Sequence, residues 1–317
     1  MRILTFGELS PELERDRSVV NMAAFASVFS REYIGVLQRL GLVSDYIGVF
    51  AVERNRVLGH IFVLRIPYVF PEGPETISGI ATVGTRPDVG RSGVARALLT
   101  DVHRREIEAG VRFSALWTNR SWGAHGLYEK LGYRDVYSSP LAVLPPTDAD
   151  PRGPSLSFAK PSDLDEIDAL HNRTAEGRLG YCFRPIGTLR ADRRLHYLEP
   201  ARDILVVRHR RRLVGYAYLD RSPRRVICGE IVATTLATKR SLIAGVRRLA
   251  RGVPCGFQHS PVRDSPAMFR SPEYRTTSVS WYGMLGARLK REWSTGEAVR
   301  QFATRDPRFL CLAGDLF

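Results

Sequence analysis

The chain has 317 residues, too many for one ordinary hydrophobic core and enough for two domains that each bury most of their apolar side chains. Hydrophobic residues make up 44% and charged residues 25%, no apolar stretch nears the roughly 20 residues that span a bilayer, and the opening MRILTFGELSPELERD turns acidic within a dozen residues; the expectation is a cytoplasmic globular protein with no membrane segment or secretory leader. The formal charge of +14 is carried almost wholly by arginine, whose fork suits phosphate, so a polyanionic ligand or nucleic acid stands beside plain compositional bias as its explanation.

Tyr46 to Glu53 and Arg56 to Pro67 are apolar, β-branched and aromatic runs joined by Arg54-Asn55, which predicts a hairpin. A third strand is predicted over Ile77 to Thr85. After Pro87 the period becomes helical, with Val94, Ala97, Leu98, Val102 and Ile107 on one face and an end near Gly110. Phe113 to Thr118 reads as a further strand and Gly123 to Leu131 as a short helix. The segment Leu144 to Pro154, LPPTDADPRGP, interrupts any helix or central strand. This places a first domain at 1–143, a linker at 144–154 and a second domain at 155–317.

The second half echoes the first. Asp203-Ile-Leu-Val-Val and Arg212-Leu-Val-Gly-Tyr-Ala-Tyr-Leu repeat Asp45-Tyr-Ile-Gly-Val and Arg56-Val-Leu-Gly-His-Ile-Phe-Val, and Trp281-Tyr-Gly-Met-Leu-Gly-Ala repeats Leu127-Tyr-Glu-Lys-Leu-Gly-Tyr. The shifts are 158 from Asp45 to Asp203, 156 from Gly59 to Gly215 and 154 from Tyr128 to Tyr282, near-constant as a tandem duplication requires. Cys182, Cys228, Cys255 and Cys311 are too scattered for a zinc site and read as buried free thiols; no metal is expected.

Between the third strand and the long helix stands Thr85-Arg-Pro-Asp-Val-Gly-Arg-Ser-Gly-Val-Ala-Arg-Ala-Leu-Leu. Gly90 and Gly93 allow a tight turn with exposed N–H groups, which together with the helix N-terminus can hold a pyrophosphate, and Arg86, Arg91 and Arg96 add positive charge. One strand downstream of the helix comes Ala124-His-Gly-Leu-Tyr-Glu-Lys-Leu-Gly-Tyr.

In this order and separation the pair resembles motifs A and B of the GNAT superfamily of N-acetyltransferases, well over residues 45 to 140 and in outline beyond. The resemblance implies a mixed α/β (α+β) architecture of two tandem GNAT-like domains, each a mostly antiparallel mixed sheet flanked by helices, the second a worn copy. It implies acetyl-CoA as co-substrate: main-chain groups of Val83 and Thr85 on the pantetheine, amides of Arg91, Ser92, Gly93, Val94 and Ala95 on the pyrophosphate with Arg96 just after, and Asn119 and Ser121 before the second helix. Tyr128 becomes the general acid that protonates the leaving thiolate, which suits a phenol that keeps its proton at neutral pH. The chain departs from the family pattern at Gly90, where Arg or Gln is usual and the arginine stands one place later, and at Ser121 in place of a frequent asparagine.

The implied reaction is direct attack of a primary amine, on a small molecule or peptide, upon the thioester. No carboxylate lies on the third strand to serve as base. Glu72 and Glu75 precede it, His60 lies on the neighbouring strand, and relatives resembling the enhanced-intracellular-survival acetyltransferases use their terminal carboxylate, which here is that of Phe317. Glu72, Glu75 and Glu129 are candidates for an acidic acceptor pocket. In the second half the turn reads Ala233-Thr-Thr-Leu-Ala-Thr-Lys-Arg-Ser-Leu without either glycine, so that half is not expected to bind coenzyme A, and Tyr282 becomes structural. The alternative is a non-catalytic or regulatory nucleic-acid-binding protein that uses its arginines, for instance Arg208-His-Arg-Arg-Arg212, on phosphates. The acceptor and the oligomeric state are not written in the sequence.

Overall fold

The computed structural model describes residues 1–25, 31–41, 43–138, 141–146, 156–180, 183–194, 198–258, 275–277 and 283–310. The chain forms two compact units: Met1–Tyr137 with Tyr282–Phe302, and Ser138–Trp281 with Ala303–Leu316.

In the first unit the elements are β1 (Arg2–Thr5), α1 (Pro11–Phe25), α2 (Arg31–Arg39), β2 (Asp45–Glu53), β3 (Arg56–Phe70), β4 (Gly73–Thr85), α3 (Val94–Glu108), β5 (Phe113–Thr118), α4 (Gly123–Lys130) and β6 (Arg134–Ser138). The second unit contributes β7 (Leu141–Leu144), β8 (Ser157–Phe158), α5 (Leu164–Ala175), α6 (Thr188–Arg194), α7 (Pro200–Asp203), β9 (Ile204–His209), β10 (Arg212–Ser222), β11 (Arg225–Ala233), α8 (Leu236–Leu249), β12 (Cys255–Gln258) and β13 (Arg275–Thr277). The chain then returns to the first unit with β14 (Gly283–Arg288) and α9 (Thr295–Gln301).

Each unit holds one mixed sheet of seven strands, in the orders β1-β2-β3-β4-β5-β14-β6 and β8-β9-β10-β11-β12-β7-β13. The orders run alike position for position. In both, antiparallel neighbours lead to one parallel pair, β4 with β5 and β11 with β12. The sixth position of each sheet is filled from the other half of the sequence, which is where the structure departs from the expected boundaries. Contiguous domains at 1–143 and 155–317 leave β7 in the first and β14 in the second; the sheets place β7 beside β12 and β14 beside β5. A local reading misses this, because β-branched runs announce strands without saying which edge they join.

The same element corrects the third echo. Residues 127–130 are helical, whereas 283–288 form β14, so Gly283–Ala287 is not the structural counterpart of Glu129–Tyr133. Tyr282 itself lies outside the described residues, as do Cys182 and Cys311; Cys228 and Cys255 are buried free thiols. The expected Arg54-Asn55 hairpin is present with Arg54 at φ 54°, and its counterpart turns through Arg210 and Arg211 at 47° and 70°.

The first core forms where alternate residues of β2, β3 and β4 meet α3: Val49, Ile61, Ile80, Leu98 and Val102 cluster with Leu116 of β5 and Leu285 of β14. On the other face α1 comes so close that a side chain at Gly84 would lie 3.3 Å from Val20. The end of α9 is locked in by Phe302, fully buried against Tyr68, Phe70, Phe113 and Trp293, while the Tyr68 hydroxyl donates to the Phe302 carbonyl at 2.7 Å. Phe302→Ala is expected to cost about 3–5 kcal/mol of stability, read as a lowered midpoint in chemical denaturation, because a ring-sized void cannot be refilled in so dense an aromatic nest.

Candidate active site

The site begins with a strand that loses its partner. β4 and β5 are paired only at Ser78↔Ser114, Gly79↔Ala115 and Ile80↔Leu116, after which β4 runs on to Thr85 with its β5-side edge open. The Arg86 N–H donates to the Leu58 carbonyl at 2.8 Å, so by the alternation of a strand Val83 and Thr85 direct their main-chain groups away from β3, toward the open edge. The ladder with β3 is broken where Thr82 and Val83 together oppose Ile61, and Thr82 takes φ 46°, a bulge that re-aims the strand just before the turn.

The turn places its left-handed residues at Arg91 (φ 64°) and Gly93 (φ 89°), not at Gly90, whose φ of −56° suits any residue. Gly93 is the N-cap of α3 and brings no side-chain cap. The first hydrogen bond into the helix is Ala97 N–H to the Gly93 carbonyl at 3.0 Å, which leaves the amides of Gly93, Val94, Ala95 and Arg96 converging without helical partners. The Ser92 amide and hydroxyl are both committed to the Val89 carbonyl, at 3.3 and 2.6 Å, so Ser92 shapes the turn from within.

Of the three arginines, Arg86 is occupied: it meets Asp16 of α1 at 3.2 Å and Asp88 at 3.6 Å. Asp16 also accepts from the Val57 N–H at 2.7 Å, tying α1, the start of β3 and the turn together, a role with no signature in the sequence. Arg91 and Arg96 are exposed and have no ion-pair partner among the described residues. The result is a cradle of open amides with two free guanidiniums, the chemistry of an anion site.

Tyr128 is buried on α4, within the cluster that holds Val94 and Leu98 of α3, and burial pushes its hydroxyl up to about 12. Its ring meets that of Tyr133 edge-on, at 5.9 Å. Tyr133 carries a polar chain that sequence reading missed: its hydroxyl lies 3.0 Å from His103 Nε2 and 2.7 Å from Ser114 Oγ, and Ser114 donates to the Ser78 carbonyl at 3.0 Å. This chain links α3, the end of α4, β5 and β4. Asn119 and Ser121 bond each other, with Asn119 Oδ1 accepting from the Ser121 amide and hydroxyl at 2.9 and 2.8 Å, and so build the entry to α4.

Several expectations are corrected. Glu72 and Glu75 stand at the β3–β4 hairpin, roughly 30 Å along β4 from the turn, where Glu72 accepts from Gln301 at 3.3 Å and Glu75 pairs with Arg112. Glu129 lies 3.5 Å from His125. The three therefore form no common acidic pocket. His60 is fully buried beside Phe50 and Phe62, with neither ring nitrogen hydrogen-bonded among the described residues, and burial lowers it to about 4 with Arg17 adding to the effect. Phe317 lies outside the described residues.

Residues 22–136 match the family model described as an acetyltransferase (GNAT) domain. Solved structures with the same fold include a probable N-acyltransferase from Enterococcus faecalis V583 (12% identity, TM-score 0.65, 95% of this chain and 73% of that one) and a GCN5-related N-acetyltransferase from Anabaena variabilis (15%, 0.65, 91% and 73%). A third is Eis1 from Mycobacterium abscessus, at 18% identity and TM-score 0.60, covering 92% of this chain and 74% of that one. No curated protein matches the sequence. Residues 22–136 thus carry the likeness to an acetyltransferase (GNAT) domain, and the solved structures share the fold.

Gly93→Ala is expected to lower stability by about 1–2 kcal/mol, since its left-handed φ strains any side chain even in open space, while Gly123→Ala, also unobstructed but without a left-handed φ, serves as the unperturbed control in the same denaturation series. For His60 the sign is that of a depressed base: as pH falls below about 6.5 the unfolded chain takes up a proton that the folded chain refuses until about 4. The stability difference between His60→Leu and the wild type should therefore grow in favour of the variant between those values. His103, also lowered to about 4 by burial, contributes equally to both proteins and cancels.

Proposed function

We propose that the chain transfers an acetyl group from acetyl-CoA to a primary amine at the first unit, and that the second unit descends from the same ancestor by tandem duplication. The observation that carries the reading is the open-amide turn beside the unpaired edge of β4. A thioester carrying a pyrophosphate needs both features: converging donors for the phosphates, from Arg91 and Gly93 to Arg96, and free main-chain groups, at Val83 and Thr85, along which an extended amide-bearing arm can lie.

Tyr128 holds a proton at its hydroxyl across the physiological range, because burial disfavours the phenolate, and can hand it to a departing thiolate. Asn119 and Ser121 shape the start of α4, on which Tyr128 is mounted. In the second unit only Thr234 and Thr235 separate β11 from α8, and the Thr235 hydroxyl accepts from the Thr238 amide at 3.1 Å. With no loop and a donor already used, that helix end is a poor phosphate site, which supports one cofactor site per chain and a structural role for that half.

A strand order matched position for position supports the duplication. The alternative of a nucleic-acid binder gains little from its strongest motif, since Arg208, on β9 before the hairpin turn, is engaged by Asp163 at 2.7 Å and by Glu166 at 3.2 Å. Among the described residues no helix is long and apolar enough to cross a membrane.

The test is thiol release from acetyl-CoA with a panel of primary amines. Tyr128→Phe should lower kcat about a hundredfold or more with acetyl-CoA affinity unchanged, the signature of a lost general acid. No amine-dependent thiol release by the intact protein would end this reading.

A further inference from the structure

The helix that holds Tyr128 also holds a second set of polar side chains, which the acyl-transfer reading does not use. His125 and Glu129 are four residues apart on α4 and so stand on one side of it, and Asp135 of β6 comes up beside them. His125 Nδ1 lies 3.5 Å from Glu129 Oε2, and its Nε2 lies 3.3 Å from Asp135 Oδ2. One nitrogen or oxygen from each of the three lies within 4.8 Å of the other two.

These separations are those of ligands and not of an ion pair. A protonated imidazole draws a bonded carboxylate to about 2.7–2.9 Å, and neither contact of His125 is that short. Groups bound to one small divalent ion, each at about 2.0–2.2 Å from it, stand roughly 3–3.5 Å apart, because each is held to the ion and not to its neighbour. His125 and Asp135 already have that spacing. Glu129, with about half of its side chain exposed, needs only a turn of that side chain to bring its carboxylate to the same ion.

The surroundings of the two carboxylates point the same way. Arg120 Nε donates to Asp135 Oδ1 at 3.0 Å, and a Cβ added at Gly283 of β14 would come within 3.8 Å of that oxygen, so Oδ1 is held and enclosed. The oxygen nearer His125 is Oδ2, and it is left for a ligand; a coordinating carboxylate is commonly fixed in this way by a donor on its other oxygen. Arg134, beside Asp135 on β6, turns its guanidinium instead to the carbonyls of Glu129 and Tyr133, at 3.0 and 2.8 Å. The carboxylate of Glu129 has no lysine or arginine partner among the described residues. Two carboxylates thus share one guanidinium, and what the group lacks is a cation.

We propose that His125, Glu129 and Asp135 bind a divalent transition-metal ion of the Zn²⁺ kind, which clips α4 to β6. The imidazole nitrogen selects such an ion over Mg²⁺ and Ca²⁺, whose preferred ligands are all oxygen. Three protein ligands leave a fourth position for water on the side where Glu129 is exposed. The site uses none of the cysteines, and it stands whether or not the first unit transfers acetyl groups.

The test is calorimetric titration of the full chain with zinc chloride, beside magnesium chloride, together with the visible spectrum of the chain loaded with Co²⁺. One Zn²⁺ per chain is expected, with Mg²⁺ about a hundredfold or more weaker. His125→Ala, Asp135→Asn and Glu129→Gln should each weaken Zn²⁺ about tenfold or more and remove the Co²⁺ absorption bands. Glu129 is exposed enough that its variant folds even where one of the others does not. No Zn²⁺ binding, Mg²⁺ bound as tightly as Zn²⁺, or Zn²⁺ affinity unchanged in Glu129→Gln and in whichever other variants fold would overturn the site.

Discussion

The pairing of β14 with β5 is the constraint on which the first unit rests. Six consecutive residue pairs, from Gly283↔Thr118 to Arg288↔Phe113, fix the far edge of β5, while its near edge is bound to β4 at three positions only. A strand held so firmly on one side and so briefly on the other parts from its parallel neighbour, and the gap is what frees the main chain of Val83 and Thr85. The cleft at the head of α3 thus depends on residues that arrive some 165 positions after β5 ends, and Phe302 secures that late segment within the aromatic nest. The second sheet carries the mirror of this debt, with β7 set between β12 and β13.

Given the cleft, the turn decides what it can hold. Left-handed backbone at Arg91 and Gly93 turns successive amides the same way, and the absence of a side-chain cap leaves the donors of α3 open. Where the second unit begins α8, a threonine cap closes the corresponding helix end and the intervening loop is gone. The same sheet therefore presents an anion cradle in one unit and a capped helix in the other. The interior faces diverge in the opposite sense, since the first is aromatic around Phe50, His60 and Phe62 while the second has gathered Glu230, Asp168 and Arg184.

What the sequence revealed is what local chemistry encodes. Apolar, β-branched and aromatic runs announced β2 and β3, the 3.6-residue period announced α3, and the glycine-rich stretch before Val94 announced the turn, although the left-handed position fell on Arg91 and not on Gly90. The exchanged strands were illegible because a run such as Gly-Met-Leu-Gly-Ala-Arg states a propensity and not a partner; its likeness to the end of α4 misled for that reason. Arg86, Glu72 and Glu75 were assigned to the site by proximity in sequence, yet a strand of thirteen residues carries its two ends far apart, and a nearby aspartate claims an arginine before a ligand can. Tyr133 and Asp16 gave no sequence signal, and His60 was visible only as a candidate base, because their roles come from burial and from partners brought by tertiary packing.

The account stands most directly on where the acetyl donor binds. Titration of acetyl-CoA into the intact chain, beside the Arg91→Ala/Gly93→Asp variant, is predicted to show one site per chain with the intact turn and none with the altered one. Two sites per chain, or a single site undisturbed by the altered turn, would contradict it.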